Sequence, residues 1–383
     1  MNVTNNNKIS LTNMLLIYVA AMYTPNIRYL LKTSTLVAKQ AAWLSPIASL
    51  IVFVPLLAVL CRVMKAFEGQ SLVQIMCRVF GKFIGKTLAV VLMLWLFIIL
   101  SLYVKYAGET TVTTVYVGTD IRLILFISVT LTAVMLRSGL PVFSRMSTIL
   151  FVVSLVQSII IIALLFIEFD PRYVTPISTA DIGPVMSSIV YPMTTFTYIT
   201  FFFIFNDQIR YDKKYTSKFI ITGTFLPSYT MVMLLATLGV FSASLVNKLK
   251  FPFHSAVENI SVFGGSSGVE SLFISIWMML EFVVISSFAY MVVRLLREIF
   301  GLKREVPLLT AVMGFAFVFS IYLCADVFEL IKFSQFVAPW FNLSLGLGIP
   351  FALFFTAKAR KMLPPLPKRQ RKKQAVKQPV PQP

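Results

Sequence analysis

Ten apolar stretches, each long enough to reach across the hydrocarbon core of a bilayer, recur along this chain and leave it few other folds. They lie near Leu11 to Leu31, Ala41 to Val63, Thr87 to Val104, Ile121 to Leu136 and Val142 to Ile167 in the first half. The second half repeats the count with Val185 to Phe205, Phe219 to Val240, Ser271 to Val293, Leu308 to Cys324 and Phe336 to Thr356. Hydrophobic residues make up 58% of 383, and the mean hydropathy is +0.84. A soluble core of that length cannot hide so much apolar surface, so lipid must cover the excess. The expected fold class is therefore an all-α polytopic membrane protein of about ten transmembrane helices.

The basic residues fall between these stretches, and they set the orientation. With the N-terminus inside, 25 of the 34 Lys and Arg lie on the cytoplasmic side and 9 on the other, which is the bias of the positive-inside rule. A net charge of +19 thus speaks for membrane topology and not for a nucleic-acid partner. Both termini are expected in the cytoplasm. Between the second and third spans, Ser71 to Lys82 alternates apolar and basic residues at helical spacing and is too short and charged to cross, so it should lie along the interface. From Pro364 the chain turns Pro-rich and basic. Residues 1–363 are read as the membrane domain and 364–383 as a basic, Pro-rich, disordered cytoplasmic tail. The first apolar run, broken by Pro25 and with no small-residue cleavage site after it, reads as a retained span and not a removed signal peptide.

Catalytic constellations are missing from the pattern. The single histidine, His254, precedes the eighth span, so neither a His-based zinc site nor a Ser-His-Asp relay can be assembled. Cys61, Cys77 and Cys324 are far apart and imply no disulfide framework. Gly264, Gly265 and Gly268 lack the Lys and the strand-to-helix context of a phosphate cradle. We expect no enzyme, no cofactor and no metal.

Two interrupted helices carry the functional signal. In the first span, Tyr23, Thr24, Pro25 and Asn26 follow Ala21, whose carbonyl Pro25 cannot serve as donor. The sixth span repeats the device with Tyr191 and Pro192, followed by the polar run Thr194, Thr195, Phe196, Thr197, Tyr198. Irregular backbone at membrane depth is tolerated only inside protein or beside a water-filled cavity. Breaks in the first helix of each half point to an inverted repeat of five plus five spans with a midplane binding site. Simple proline kinks packed by their neighbours are the competing explanation.

Charges inside spans are functional candidates by default. Glu281, mid-way along the eighth span, must face protein or be protonated; a cavity-wall or proton-coupling role and a buried structural hydrogen bond both remain open. Lys105 and Glu109, four apart on the third span, read as an interfacial ion pair. Trp95 and Ile99 are one turn apart on the same span and suit either a cavity wall or core packing.

Four segments carry a family resemblance: Ala38 to Ser45 entering the second span, Phe80 to Lys86 before the third, Ser138 to Arg145 before the fifth, and Gly268 to Trp277 opening the eighth. In these the chain resembles the B subunits of bacterial spore germinant receptors, in the amino acid–polyamine–organocation transporter superfamily, from Lys8 to about Lys358. The resemblance implies a LeuT/APC-like 5+5 inverted repeat with discontinuous helices 1 and 6. It further implies a subunit of the spore inner membrane that binds a small nutrient, often an amino acid, and acts with A and C subunits. Carried over by position, the ligand pocket would include Thr24, Pro25, Trp95, Ile99 and the Tyr191 to Tyr198 stretch with Thr194 and Thr195. Tyr23 and Glu281 complete the candidate set. Members of that family similar to this chain carry glycines in the first break and a Gly and Glu in the sixth, where this sequence has Tyr23, Thr24 and Asn26, and Tyr198 and Thr200.

Three functions compete at this level. The first is a nutrient-sensing receptor subunit and the second a proton- or sodium-coupled amino acid transporter. The third is a scaffold with a vestigial cavity, which the bulk of Tyr23 and Tyr198 would support. Past Arg145 the fifth span has no charge until Glu168, which removes a lysine relay and favours the receptor.

Overall fold

The computed structural model describes residues 8–114, 116, 118–212, 214–262, 265–266, 269–302 and 304–363. The tail from Pro364 and the glycines Gly264 and Gly268 lie outside the described residues. Eight helical stretches are long and apolar enough to cross a membrane. One of them, Leu11–Ala66, runs 56 residues, far beyond the ~20 that one crossing needs, and Lys39 at φ 46° divides it. With that stretch counted as two and the shorter apolar helix Ile121–Leu136 added, the ten expected spans are all present.

Span one is Leu11–Pro25, a π-helical segment Asn26–Leu30 and Leu31–Ala38. Span two is Leu50–Ala66, span three Lys82–Thr114, span four Ile121–Leu136 and span five Leu140–Leu165. Span six is divided into Ile182–Ser188, Val190–Phe196 and Ile199–Phe202, ending in a 3-10 turn over Phe203–Gln208. Span seven is Tyr215–Val240, span eight Val269–Phe300 and span nine Glu305–Tyr322. The helix Val327–Phe336 leads into span ten, Ala338–Ala359. The expected interfacial segment forms the helix Leu72–Phe80, started by a capping box in which Ser71 and Gln74 satisfy each other's backbone N–H. Gly81 at φ 95° then turns the chain sharply into span three.

Burial separates a central group of spans from a peripheral one. In the most apolar window of span six 89% of residues are buried, and in span eight 78%, against 22% in span five and 28% in span nine. Large apolar side chains such as Ile149, Ile159, Ile221 and Phe315 stand exposed on the peripheral spans, where lipid is the solvent that suits them. Span six is thus enclosed by protein, and so is span one, buried at most positions from Leu11 to Leu31. A two-residue parallel pairing of β1 (Ile9–Ser10) with β2 (Ile209–Arg210) ties the entry of span one to the exit of span six.

At that same end, Arg294 of span eight pairs with Asp207 and, at 2.7 Å, with Glu298. Ser71 donates to Glu298, and Glu305 joins through Arg297. The network staples spans six, eight and nine to the interfacial helix. Spans six and ten are in close contact, because Gly346 presents no side chain. A Cβ there would lie 2.5 Å from Thr197 Cβ, and Thr200 Oγ1 donates to the Gly346 carbonyl at 2.7 Å. Gly346→Ala is therefore expected to cost about 1–3 kcal/mol through overpacking, read as a lower melting temperature of the purified protein.

Candidate functional site

Pro25 lacks the N–H that would bond the Ala21 carbonyl, and the first span answers by widening instead of unravelling. The backbone stays α-helical to Pro25 and continues as the five-residue π-helix Asn26–Leu30. Such π-segments insert an extra residue into the turn and recur at functional sites. Where the sequence pointed to an opened helix, the interruption is a change of winding. Span six is interrupted more fully, at Ile189 and again at Thr197 and Tyr198. The Phe196 carbonyl at the second break is taken up by the Tyr18 hydroxyl of span one, 2.9 Å away.

The two interruptions face each other. Thr195 Oγ1 donates to Asn26 Oδ1 at 2.8 Å, and Asn26 Nδ2 reaches Thr230 Oγ1 of span seven at 3.3 Å. Beside this bridge lies a cavity of about 30 Å³, room for about two water molecules. Its walls come from Pro25, Arg28 and Tyr29 of span one, Tyr103 and Tyr106 of span three, and Thr194, Thr195 and Tyr198 of span six. Ser334 and Asn342 close it.

A chain of polar side chains forms one wall. Trp95 Nε1 donates to Asn342 Oδ1 at 2.7 Å, Asn342 Nδ2 donates to the Tyr198 hydroxyl at 2.8 Å, and Tyr103 reaches that hydroxyl at 3.5 Å. Trp95 also stacks on Phe341 with centroids 4.6 Å apart.

Arg28, 5% exposed, dominates the electrostatics. Its guanidinium lies 4.7 Å from the Tyr106 ring centroid and 5.5 Å from that of Trp277, positions in which both rings attract a cation. Its Nη2 meets the carboxylate of Glu281, which is likewise buried. Trp277 and Glu281 are four residues apart on span eight, so a single helix face supplies a ring and the counter-charge. Apart from this ion pair, Nε, Nη1 and Nη2 of Arg28 and both carboxylate oxygens of Glu281 have no hydrogen-bond partner. Both charges are deep in protein, where an unmatched charge is costly, and each is the other's compensation.

The sequence-derived candidates divide accordingly. Pro25, Thr194, Thr195 and Tyr198 line the cavity. Trp95 acts on it through Asn342, and Glu281 through Arg28. Thr24 is fully buried with its hydroxyl unpartnered, and Ile99 is fully buried in the apolar core. Tyr191 meets the Tyr29 ring edge-on at 6.4 Å. Tyr23 turns away from the cavity: its hydroxyl is 2.8 Å from Ser158 Oγ of span five, and its ring stacks on Tyr229. Lys105 and Glu109 pair at 3.4 Å as their spacing suggested, with Lys105 buried. His254 is buried, its Nδ1 3.1 Å from Glu258. Among the described residues no cluster of three metal-ligating side chains exists.

Arg28, Tyr29, Tyr103, Tyr106 and Asn342 were not singled out from the sequence. Arg28 is one of the 9 Lys and Arg that the topology assigns to the outer side. Its position one turn beyond Pro25, together with the demand of Glu281 for a partner, was the signal available.

Residues 9–328 match the sequence profile of a family described as spore germination protein. No curated protein matches the chain closely. Among solved structures the chain is similar to Mhp1, a nucleobase-cation-symport-1 family transporter in a closed conformation with bromovinylhydantoin bound. The TM-score is 0.59 at 15% identity, covering 92% of this chain and 80% of Mhp1. It is also similar to a Na⁺-coupled sialic acid symporter in a substrate-bound, outward-open state, with TM-score 0.58 at 11% identity and coverage of 94% and 91%. At such identities the likeness establishes the fold, the LeuT-type transporter architecture with interrupted first and sixth spans.

Proposed function

Because this chain belongs to the spore germination protein family, we propose that it is the membrane subunit of a germinant receptor that binds a small nutrient, an amino acid by class, between its interrupted spans. In this reading it chemically transforms nothing. Binding changes the relation of span one to spans six and eight, and partner subunits of the A and C types carry the change onward to trigger germination. It resides in the spore inner membrane, with the β1–β2 end and both termini in the cytoplasm, as the 25 to 9 distribution of Lys and Arg favours.

The observation that carries the reading is the small cavity between the two interruptions, bordered by Arg28, the Thr194–Thr195 pair and Tyr198, which must widen to admit an amino acid. Solved proteins of this fold hold bromovinylhydantoin in one case and a substrate in another. Thr195→Trp would fill a space of about 30 Å³ and break the link to Asn26. Spores carrying it are expected to lose nutrient-triggered germination while the protein remains at normal abundance. A variant that accumulates normally and still germinates at wild-type nutrient concentrations would refute the cavity reading.

A second reading, ion-coupled solute transport, is favoured by the fold shared with two symporters. Amino acid flux in proteoliposomes separates the two: a receptor subunit binds without net uptake, and a transporter accumulates solute against its gradient.

A further inference from the structure

We propose that the Arg28–Glu281 pair is the recognition element of the site, and that a zwitterionic ligand acts by entering between its two members. This rests on the reading of the cavity as a nutrient site and adds which charges the nutrient meets.

The argument begins from compensation. Arg28 and Glu281 are both buried and each neutralises the other. A ligand bearing only a carboxylate could bind Arg28, but it would leave Glu281 unmatched in a dry interior; a ligand bearing only an ammonium would strand Arg28. A zwitterion strands neither, since its carboxylate meets the guanidinium and its ammonium meets Glu281. The exchange keeps two opposite-charge contacts where there was one.

The local geometry favours this. Arg28 borders the cavity, its Nε and Nη1 are without partners, and once Nη2 leaves Glu281 either planar edge, Nε–Nη2 or Nη1–Nη2, suits a carboxylate. The ring of Tyr106, on span three, covers the guanidinium, so the side chain keeps an aromatic partner when spans one and eight separate. On the far side of Arg28, Tyr29 and Tyr106, a second small cavity of about 10 Å³ is bordered by Lys32 and Lys250. Those ammonium groups favour approach of the carboxylate end first.

The pair also couples the ligand to the fold. Arg28 is on the π-segment of span one and Glu281 on span eight, so a molecule between them pushes those two elements apart. Span eight continues to Arg294 and Glu298, which hold the β1–β2 end through Asp207 and Ser71. The closed pair is thus the resting latch, and the ligand is the wedge.

The test uses the full-length protein purified in detergent, with melting temperature as readout. The probes are the twenty standard amino acids tested singly, together with acetate and ethylamine as half-ligands. In the wild type at least one amino acid should stabilise, and neither half-ligand should. Glu281→Gln should become responsive to acetate, and Arg28→Gln to ethylamine, whereas the Arg28→Gln/Glu281→Gln double variant should respond to neither. Should Glu281→Gln not accumulate, Glu281→Asp retains the charge one methylene back. It should then raise the midpoint concentration of the stabilising amino acid about tenfold, equivalent to about 1.4 kcal/mol.

An amino acid that stabilises the wild type and the double variant alike overturns the inference and leaves the nutrient reading standing. Acetate acting equally on wild type and Glu281→Gln, or an unchanged midpoint in Glu281→Asp, overturns it as well. If no amino acid stabilises the wild type and acetate does nothing to Glu281→Gln, both readings fall.

Discussion

Arg28→Gln is expected to lower the stability of the folded protein by about 3–5 kcal/mol, and adding Glu281→Gln to it should recover most of that loss. The large single-variant effect does not measure an attraction gained on folding. It measures the Glu281 carboxylate left in a site that excludes water, where among the described residues Arg28 is its ion-pair partner. Removing both charges removes that penalty and leaves two amides able to bond each other. The reciprocal single variant, Glu281→Gln, should be destabilised comparably, with the Tyr106 and Trp277 rings returning part of the cost to the stranded guanidinium. The four proteins form a double-mutant cycle, read by denaturation in detergent. A coupling energy near zero would mean that the two groups are solvated independently and that the pair does not hold spans one and eight together.

This site was legible in the sequence only in part, and the reasons are physical. The ten spans could be read because an apolar stretch long enough to cross a bilayer has few alternatives to a helix there. The interruption of span one and the first break of span six could be read because a proline deletes a backbone donor whatever surrounds it; the second break of span six, at Thr197 and Tyr198, has no proline and could not. What replaced the missing bond could not. In span one the backbone widened into a π-segment, and that choice depends on neighbours, among them Thr195 meeting Asn26.

Side-chain direction followed from the winding and not from proximity in sequence. Tyr23 stands two residues before Pro25, a rotation of about 200° around the helix, and so it faces Ser158 and Tyr229 while Pro25 faces the cavity. Trp95 reached the site through Asn342, a residue of the last span, and no spacing rule connects those two positions. Arg28 and Glu281 illustrate the same limit. Glu281 announced itself as a charge in need of explanation and Arg28 did not, and only the packing of span one against span eight made each the explanation of the other.

Asn342→Leu should be the next most damaging change in the site, at about 2–4 kcal/mol, because the Trp95 N–H loses its partner at about 1–3 kcal/mol and the Tyr198 hydroxyl loses less, keeping Tyr103. Leucine shares the heavy-atom branching of asparagine but is bulkier and offers nothing to the Trp95 N–H or to the Tyr198 hydroxyl, which now bond Asn342 at 2.7 and 2.8 Å. Tyr198 is left with Tyr103 at 3.5 Å, the long end of the range, and its ring is free to shift within a cavity it helps to wall. The response to nutrient should therefore fall along with the melting temperature. Trp95→Phe provides the control, since it keeps an aromatic ring against Phe341 and deletes a single donor. If Asn342 relays the position of Trp95 to Tyr198, the two variants share one hydrogen bond, and the double variant should lose less stability than the sum of the singles. Additive losses would mean that the contacts act separately and that Tyr198 owes its place in the cavity to its own packing against Phe201 and Phe288.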